Sequence, residues 1–224
     1  MATLYFYNPD TDYTPKHKES VSETAKEIVK KIASKTLSKN MDELEFEIGY
    51  NGKPYLKENK NFCFNISHSG NAVAVAVSNT DIGVDIEKLR KADFRVCNRF
   101  FTENEKEYVG NSDRRFFEIW TKKEAYIKLN GLALKNLKEA KSDNIFTTEI
   151  EDFIISVAQK EKSDINIIVL EKLEDLWYSN KVVFLNNDCS LSKRSRTLRQ
   201  ADFIGFAEMN SKSIHFCVTL VAMG

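Results

Sequence analysis

Residues 82–88 read IGVDIEK, with Ile82, Val84 and Ile86 on one face of a strand and Asp85 and Glu87 on the other. Side chains two apart on a strand start roughly 7 Å from each other and point the same way, so the two carboxylates can converge on one point. Like charges repel there. Either a cation lies between them, or the strand has a solvent-facing edge where water and salt screen the repulsion.

Working outward, the small, β-branched run AVAVAVS at Ala72–Ser78 predicts a buried strand. It should lie antiparallel to the alternating Phe62, Phe64 and Ile66, with SHSGN turning the chain between them. The polar residues 78–81 read as the junction between two halves, 1–79 and 80–224. In the first half, Ser20 and Glu23 form a capping-box pattern that predicts a helix through about Thr36, with Ala25, Ile28, Val29, Ile32 and Ala33 as its apolar stripe. Leu44, Phe46 and Ile48 alternate as a strand, and Asn51-Gly52 reads as a turn. In the second half, Thr102 and Glu105 form another capping box, and a longer helix begins at Asp113 and closes at Gly131. Residues 153–158, Ile165–Leu170, 181–185 and 214–221 read as strands, and the polar, basic stretch 186–200 as a loop.

The chain has 224 residues, with 33 Lys+Arg against 33 Asp+Glu, so no global charge attracts nucleic acid or membrane. No apolar run approaches the roughly eighteen residues that span a bilayer, and MATLYFYNPD lacks a basic region followed by an apolar one. A cytoplasmic monomer is expected. Cys63, Cys97, Cys189 and Cys217 are scattered without a CxxC, and His17, His68 and His215 are the available imidazoles, which argues against a zinc site or a disulfide framework.

The helix 116–131 carries Phe116, Trp120 and Ile127 at helical spacing, and Glu124 falls on that apolar face, four residues after Trp120 and four before Lys128. An ordinary Glu-to-Lys pair on the edge of the stripe accounts for it, worth about 0.2–0.5 kcal/mol. Together with Asp85 and Glu87, however, Glu124 makes an oxygen-rich shell of the kind Mg²⁺ uses while it keeps waters and takes phosphate oxygens. The SHSG stretch adds groups suited to an anion: a Gly-containing turn presenting backbone N–H groups, with Ser67 and His68 beside them. A surface turn reads equally from the same residues. A serine-hydrolase reading of Ser67 and His68 fails because neighbours on a strand project to opposite faces and ISHSG is not a GxSxG elbow.

Five segments in this order resemble 4′-phosphopantetheinyl transferases of the Sfp type: GKP at 52–54, FNISHSG at 64–70, IGVDIEK at 82–88, RFFTENE at 99–105 and WTKKEAYIK at 120–128. The resemblance covers roughly residues 46–131. It implies an α+β fold of two similar halves in pseudo-two-fold relation, each a small, mainly antiparallel sheet packed with helices. Residues 1–79 would form the nucleotide side, and 80–224 the metal site, long helix and C-terminal region. It also implies transfer of 4′-phosphopantetheine from coenzyme A to a serine of an acyl or peptidyl carrier protein, with Mg²⁺ or Mn²⁺.

Carried over by motif, Asp85, Glu87 and Glu124 become metal ligands. Lys53, Pro54, Ser67 and His68 meet the nucleotide or its phosphates, and Lys123 and Lys128 supply charge at the pyrophosphate. Glu124 is the first choice as general base, Glu105 the second, and Lys128 assists the leaving group. Glu105 can equally be a helix cap. Three departures stand out. Basic residues near the N-terminus reduce to Lys16 and Lys18, with Glu23 where Arg is common. A second glycine after Gly131 is lacking, and 160–200 have no counterpart, so their run KRSRTLR (193–199) reads either as a solvated loop or as a contact for an acidic carrier. The alternative function is a relative that binds coenzyme A or a carrier without turnover.

Overall fold

The computed structural model describes residues 1–9, 18–49, 52–57, 59 and 61–176. Its elements run β1 (Ala2–Tyr7), α1 (Lys18–Leu37), β2 (Phe46–Ile48), β3 (Pro54–Leu56), β4 (Cys63–Ser69) and β5 (Ala72–Ser78). Then come β6 (Ile82–Lys88), α2 (Arg95–Phe100), α3 (Glu103–Val109), α4 (Asp113–Asn130), β7 (Phe146–Ile150), β8 (Phe153–Gln159) and β9 (Ile165–Leu170). One sheet has the order β4-β5-β1-β9, a second the order β6-β8-β7, and β2 pairs with β3 as a hairpin. All pairings are antiparallel except β1 with β9, which are parallel from Ala2↔Ile165 to Tyr7↔Leu170. The expected mixed fold of small, mainly antiparallel sheets packed with helices is present.

Residue size sets the layers. On β5 the small Ala72, Ala74 and Ala76 face one way and pack with Leu4 and Phe6 of β1 against Ile82, Val84 and Ile86 of β6 and Ile155 and Val157 of β8. Short alanine side chains let the two sheets approach closely. Val73 and Val75, on the other face of β5, pack against Ala25, Ile28, Val29 and Ile32 of α1. The far side of the second sheet takes α4, where Ala125 and Leu129 meet Ala158. The order of layers is therefore α1, first sheet, second sheet, α4.

Several expected boundaries hold. β6 spans the IGVDIEK stretch, and β4 and β5 are antiparallel, with Phe64 opposite Val77. Thr102 and Glu105 form a reciprocal capping box on α3. α4 ends at Gly131, whose φ of 60° lies in the left-handed region glycine tolerates. Two expectations are corrected. α1 already contains residue 18, so Ser20 lies inside the helix, and Glu23 pairs with Lys26 at 2.7 Å instead of capping. Ser67, His68 and Ser69 are ladder residues of β4, opposite Ala74, Val73 and Ala72; Gly70 and Asn71 alone make the turn.

Among the described residues no helix is long and apolar enough to cross a membrane. Cys97 is buried and carries a free thiol. Lys16, His17, Cys189, Cys217, His215, the expected strands 181–185 and 214–221 and the basic run 193–199 lie outside the described residues.

Candidate active site

The site begins with a missing side chain. Gly83, Asp85 and Glu87 share the face of β6 turned to α4, and a Cβ built on Gly83 would lie 2.1 Å from the Ala125 carbonyl oxygen and 2.5 Å from the Leu129 nitrogen. Only glycine lets the helix backbone rest directly on the strand. That close approach brings the Trp120–Glu124–Lys128 row of α4 beside the carboxylates of β6. The face left open in the sequence is thus covered by a helix, not by solvent.

Between β4, β6 and α4 lies a cleft of about 320 Å³, lined by Ser67, His68, Asp85, Glu87, Trp120, Glu124 and Lys128, with Ile66 and Ile86. Lys128 Nζ donates to Asp85 Oδ1 at 2.7 Å and to Ser67 Oγ at 2.9 Å, and Ser67 Oγ donates to Asp85 Oδ1 at 2.8 Å. Asp85 Oδ2 is buried with no hydrogen-bond partner. An orphaned carboxylate oxygen is costly in a native interior and calls for a reason. Burial raises the Asp85 pKa, against the pull of Lys128 and Ser67. Glu87 Oε2 accepts from Ser69 Oγ at 3.1 Å and from Arg90 at 2.8 Å.

Glu124 is pushed up to about 7, chiefly by burial and then by the neighbouring Asp85, with Lys128 opposing and Glu87 adding. Its protonated form is favoured in the folded chain. The resulting stability is present below the ordinary carboxylate range and lost as pH rises through about 7. In chelator-treated protein, Glu124→Gln should therefore gain stability relative to the natural sequence as pH rises from about 5 to about 8. Urea midpoints measure this, and parallel pH curves for the two proteins would contradict it.

The donor set is hard and anionic, and an unpaired Oδ2 within it suits Mg²⁺. Asp85, Glu87 and Glu124 all line the one cleft, although among the described residues no three acid, histidine or cysteine side chains yet stand close enough to hold a metal ion together.

Other expected site residues lie elsewhere. Lys123 is fully buried and does not line the cleft; it bonds Glu105 at 3.0 and 3.1 Å and the Ala140 carbonyl at 2.9 Å. Glu105 is fully engaged by Lys123, Ser142 Oγ at 2.8 Å and the Thr102 amide at 2.8 Å. Burial raises its pKa, but the Thr102 amide, Lys123 and Ser142 outweigh that and hold it below the usual range. Both residues brace α4 against α3. Lys53 and Pro54 line a second cleft of about 450 Å³ with Cys63, Asp81 and Gly131, and Lys53 Nζ donates to the Ile82 carbonyl at 2.8 Å. His68 is exposed at the rim of the first.

Asn65, Ser69 and Arg90 were not foreseen as part of the site. A signal for the first two was present: the polar residues Asn65, Ser67 and Ser69 recur at every second position of the strand, on the face opposite Phe64 and Ile66.

Comparison with known proteins follows the same lines. Residues 81–179 match the model of the 4′-phosphopantetheinyl transferase superfamily, and residues 14–80 match that of the 4′-phosphopantetheinyl transferase N-terminal region. Over these two stretches the chain is similar to 4′-phosphopantetheinyl transferases. The similarity therefore extends well beyond the 46–131 stretch in which the motifs are visible. A 4′-phosphopantetheinyl transferase of Bacillus pumilus, psf-1, is 38% identical over 96 residues, 41% of each chain. The enzyme named gsp of Aneurinibacillus migulanus is 40% identical over 85 residues, 36% of this chain and 35% of the relative. Sfp of Bacillus subtilis strain 168 is 30% identical over 125 residues, 53% of this chain and 56% of the relative. In these matches the chain spans about half the length of the relatives, or less.

Proposed function

We propose that the chain transfers 4′-phosphopantetheine from coenzyme A to a serine hydroxyl of an acyl or peptidyl carrier protein, releasing adenosine 3′,5′-bisphosphate. The observation that carries this reading is the meeting of Asp85, Glu87, Glu124 and Lys128 in one cleft of a chain similar to this family. Asp85, Glu87 and Glu124 would hold Mg²⁺, which when bound neutralises phosphate charge.

The chain's own residues do the rest. Lys128 is already poised between Ser67 and Asp85, where its ammonium can offset the charge that develops on the leaving bisphosphate. Glu124 has a carboxylate tuned towards neutrality, suited to accept the serine proton as the new P–O bond forms and the anhydride P–O bond breaks. Ser67 and His68 border the phosphates, and Lys53 and Pro54 serve the nucleotide end. Glu105 and Lys123 belong to the frame, because their charges are spent on each other.

The test is to incubate the protein with coenzyme A, Mg²⁺ and a panel of apo-carriers, then weigh the carriers by mass spectrometry. The expected result is a mass gain of one phosphopantetheine on at least one carrier. Unmodified carriers, together with calorimetric binding of coenzyme A, would replace catalysis with the binding-only alternative.

A further inference from the structure

Three alternate residues of β4 lie on the face turned to β6, and each one engages it. Asn65 Oδ1 accepts the Val84 amide at 2.8 Å, Ser67 donates to Asp85, and Ser69 donates to Glu87 while accepting the Lys88 amide at 3.1 Å. β4 and β6 are edge strands of different sheets, so these side chains satisfy edge amides that a neighbouring backbone would otherwise take. The row fixes the register of one strand against the other. A slip by one residue would turn every hydroxyl away from its carboxylate.

The two carboxylates are held alike. On Asp85, Ser67 and Lys128 both grip Oδ1, and Oδ2 is left without a partner. On Glu87, Ser69 and Arg90 both grip Oε2, and no hydrogen bond reaches Oε1 among the described residues. Each carboxylate thus has one oxygen clamped by a hydroxyl and a cation, with the other left open.

The clamps differ in strength. Lys128 is 28% exposed over a buried aspartate, whereas Arg90 is 56% exposed and rests over the Phe117 ring at 4.8 Å. Glu87 also has one more rotatable bond than Asp85. Without the Ser69 hydroxyl, its carboxylate would be held by the surface arginine alone.

We propose that Ser69 is a positioning residue: by clamping Glu87 Oε2 it presents Oε1 to a divalent cation in the cleft, as Ser67 does for Asp85 Oδ2. This rests on the reading of Asp85, Glu87 and Glu124 as Mg²⁺ ligands. Groups that orient metal ligands change metal affinity by about 10–100-fold when removed.

The experiment titrates Mg²⁺ into the full chain by calorimetry with coenzyme A present, for the natural sequence, Ser69→Ala and Ser69→Thr, with metal-free melting curves alongside. Ser69→Ala should weaken Mg²⁺ binding about 10–100-fold. Its metal-free melting temperature should barely move, because water can take over the exposed Lys88 amide. Ser69→Thr, which restores the hydroxyl, should recover the affinity. Equal Mg²⁺ affinity in Ser69→Ala and the natural sequence would overturn the positioning role while leaving the metal reading intact, as would a Ser69→Thr variant as weak as Ser69→Ala. Absence of Mg²⁺ binding by the natural sequence itself would remove the metal reading, and the role of Ser69 with it.

Discussion

Gly83→Ala should be among the most damaging single substitutions in the chain. The added methyl would meet two backbone atoms of α4, the Ala125 carbonyl oxygen at 2.1 Å and the Leu129 nitrogen at 2.5 Å. No rotamer change relieves a clash with backbone, so the helix must lift off the strand. Overpacking of a well-packed core costs about 1–3 kcal/mol, and a backbone clash belongs at or above the top of that range. Lifting α4 also separates Glu124 and Lys128 from Asp85. A displacement of about 1 Å at a reacting centre can cost 10²-fold in rate, so surviving folded protein should transfer phosphopantetheine at least that much more slowly. Denaturant unfolding and carrier modification measure the two effects. A variant with natural stability and natural rate would show that α4 does not rest on β6 as described.

Asp85→Asn should separate stability from catalysis. The amide keeps the volume of the carboxylate and removes a buried charge. Its loss relieves one of the causes that push Glu124 up to about 7. The metal-free melting temperature should therefore stay level or rise, since Lys128, 28% exposed, can turn to water. Transfer should fall by about 10²–10³-fold, the scale seen when one electrostatic contact to a reacting centre is removed. A destabilised variant with a natural turnover rate would reverse both expectations and return Asp85 to a structural role.

These two residues also show what could be read from sequence. Residues 82–88 announced a strand with paired carboxylates because alternation is local, and α4 runs from Asp113 to its glycine cap at Gly131, whose left-handed backbone is also a local signal; its N-terminal cap is the Ser112 hydroxyl, which accepts the Arg115 amide. What covers the carboxylate face was not legible, since it depends on how α4 packs across a distant stretch of chain. The same holds for β9, which crosses from the end of the described chain to lie parallel to β1. β1 and β7 passed unnoticed. Ser67 and His68 were read as a turn because SHSGN is rich in turn formers, yet pairing with β5 carries the strand on to Ser69. Lys123 and Glu124 are sequence neighbours about 100° apart around a helix. Because α4 is covered on several sides, one enters the cleft while the other is buried against Glu105. Motif transfer cannot make that distinction.

The most direct measurement is the rate of carrier modification as a function of Mg²⁺ concentration, run side by side for the natural sequence, Asp85→Asn and Glu124→Gln at fixed coenzyme A. If these carboxylates hold the metal, the natural sequence will show a saturable Mg²⁺ requirement, and both variants will be slow at every concentration or need far more metal. Variants that match the natural rate and the natural Mg²⁺ midpoint would contradict the assignment of the cleft as the metal-dependent active site.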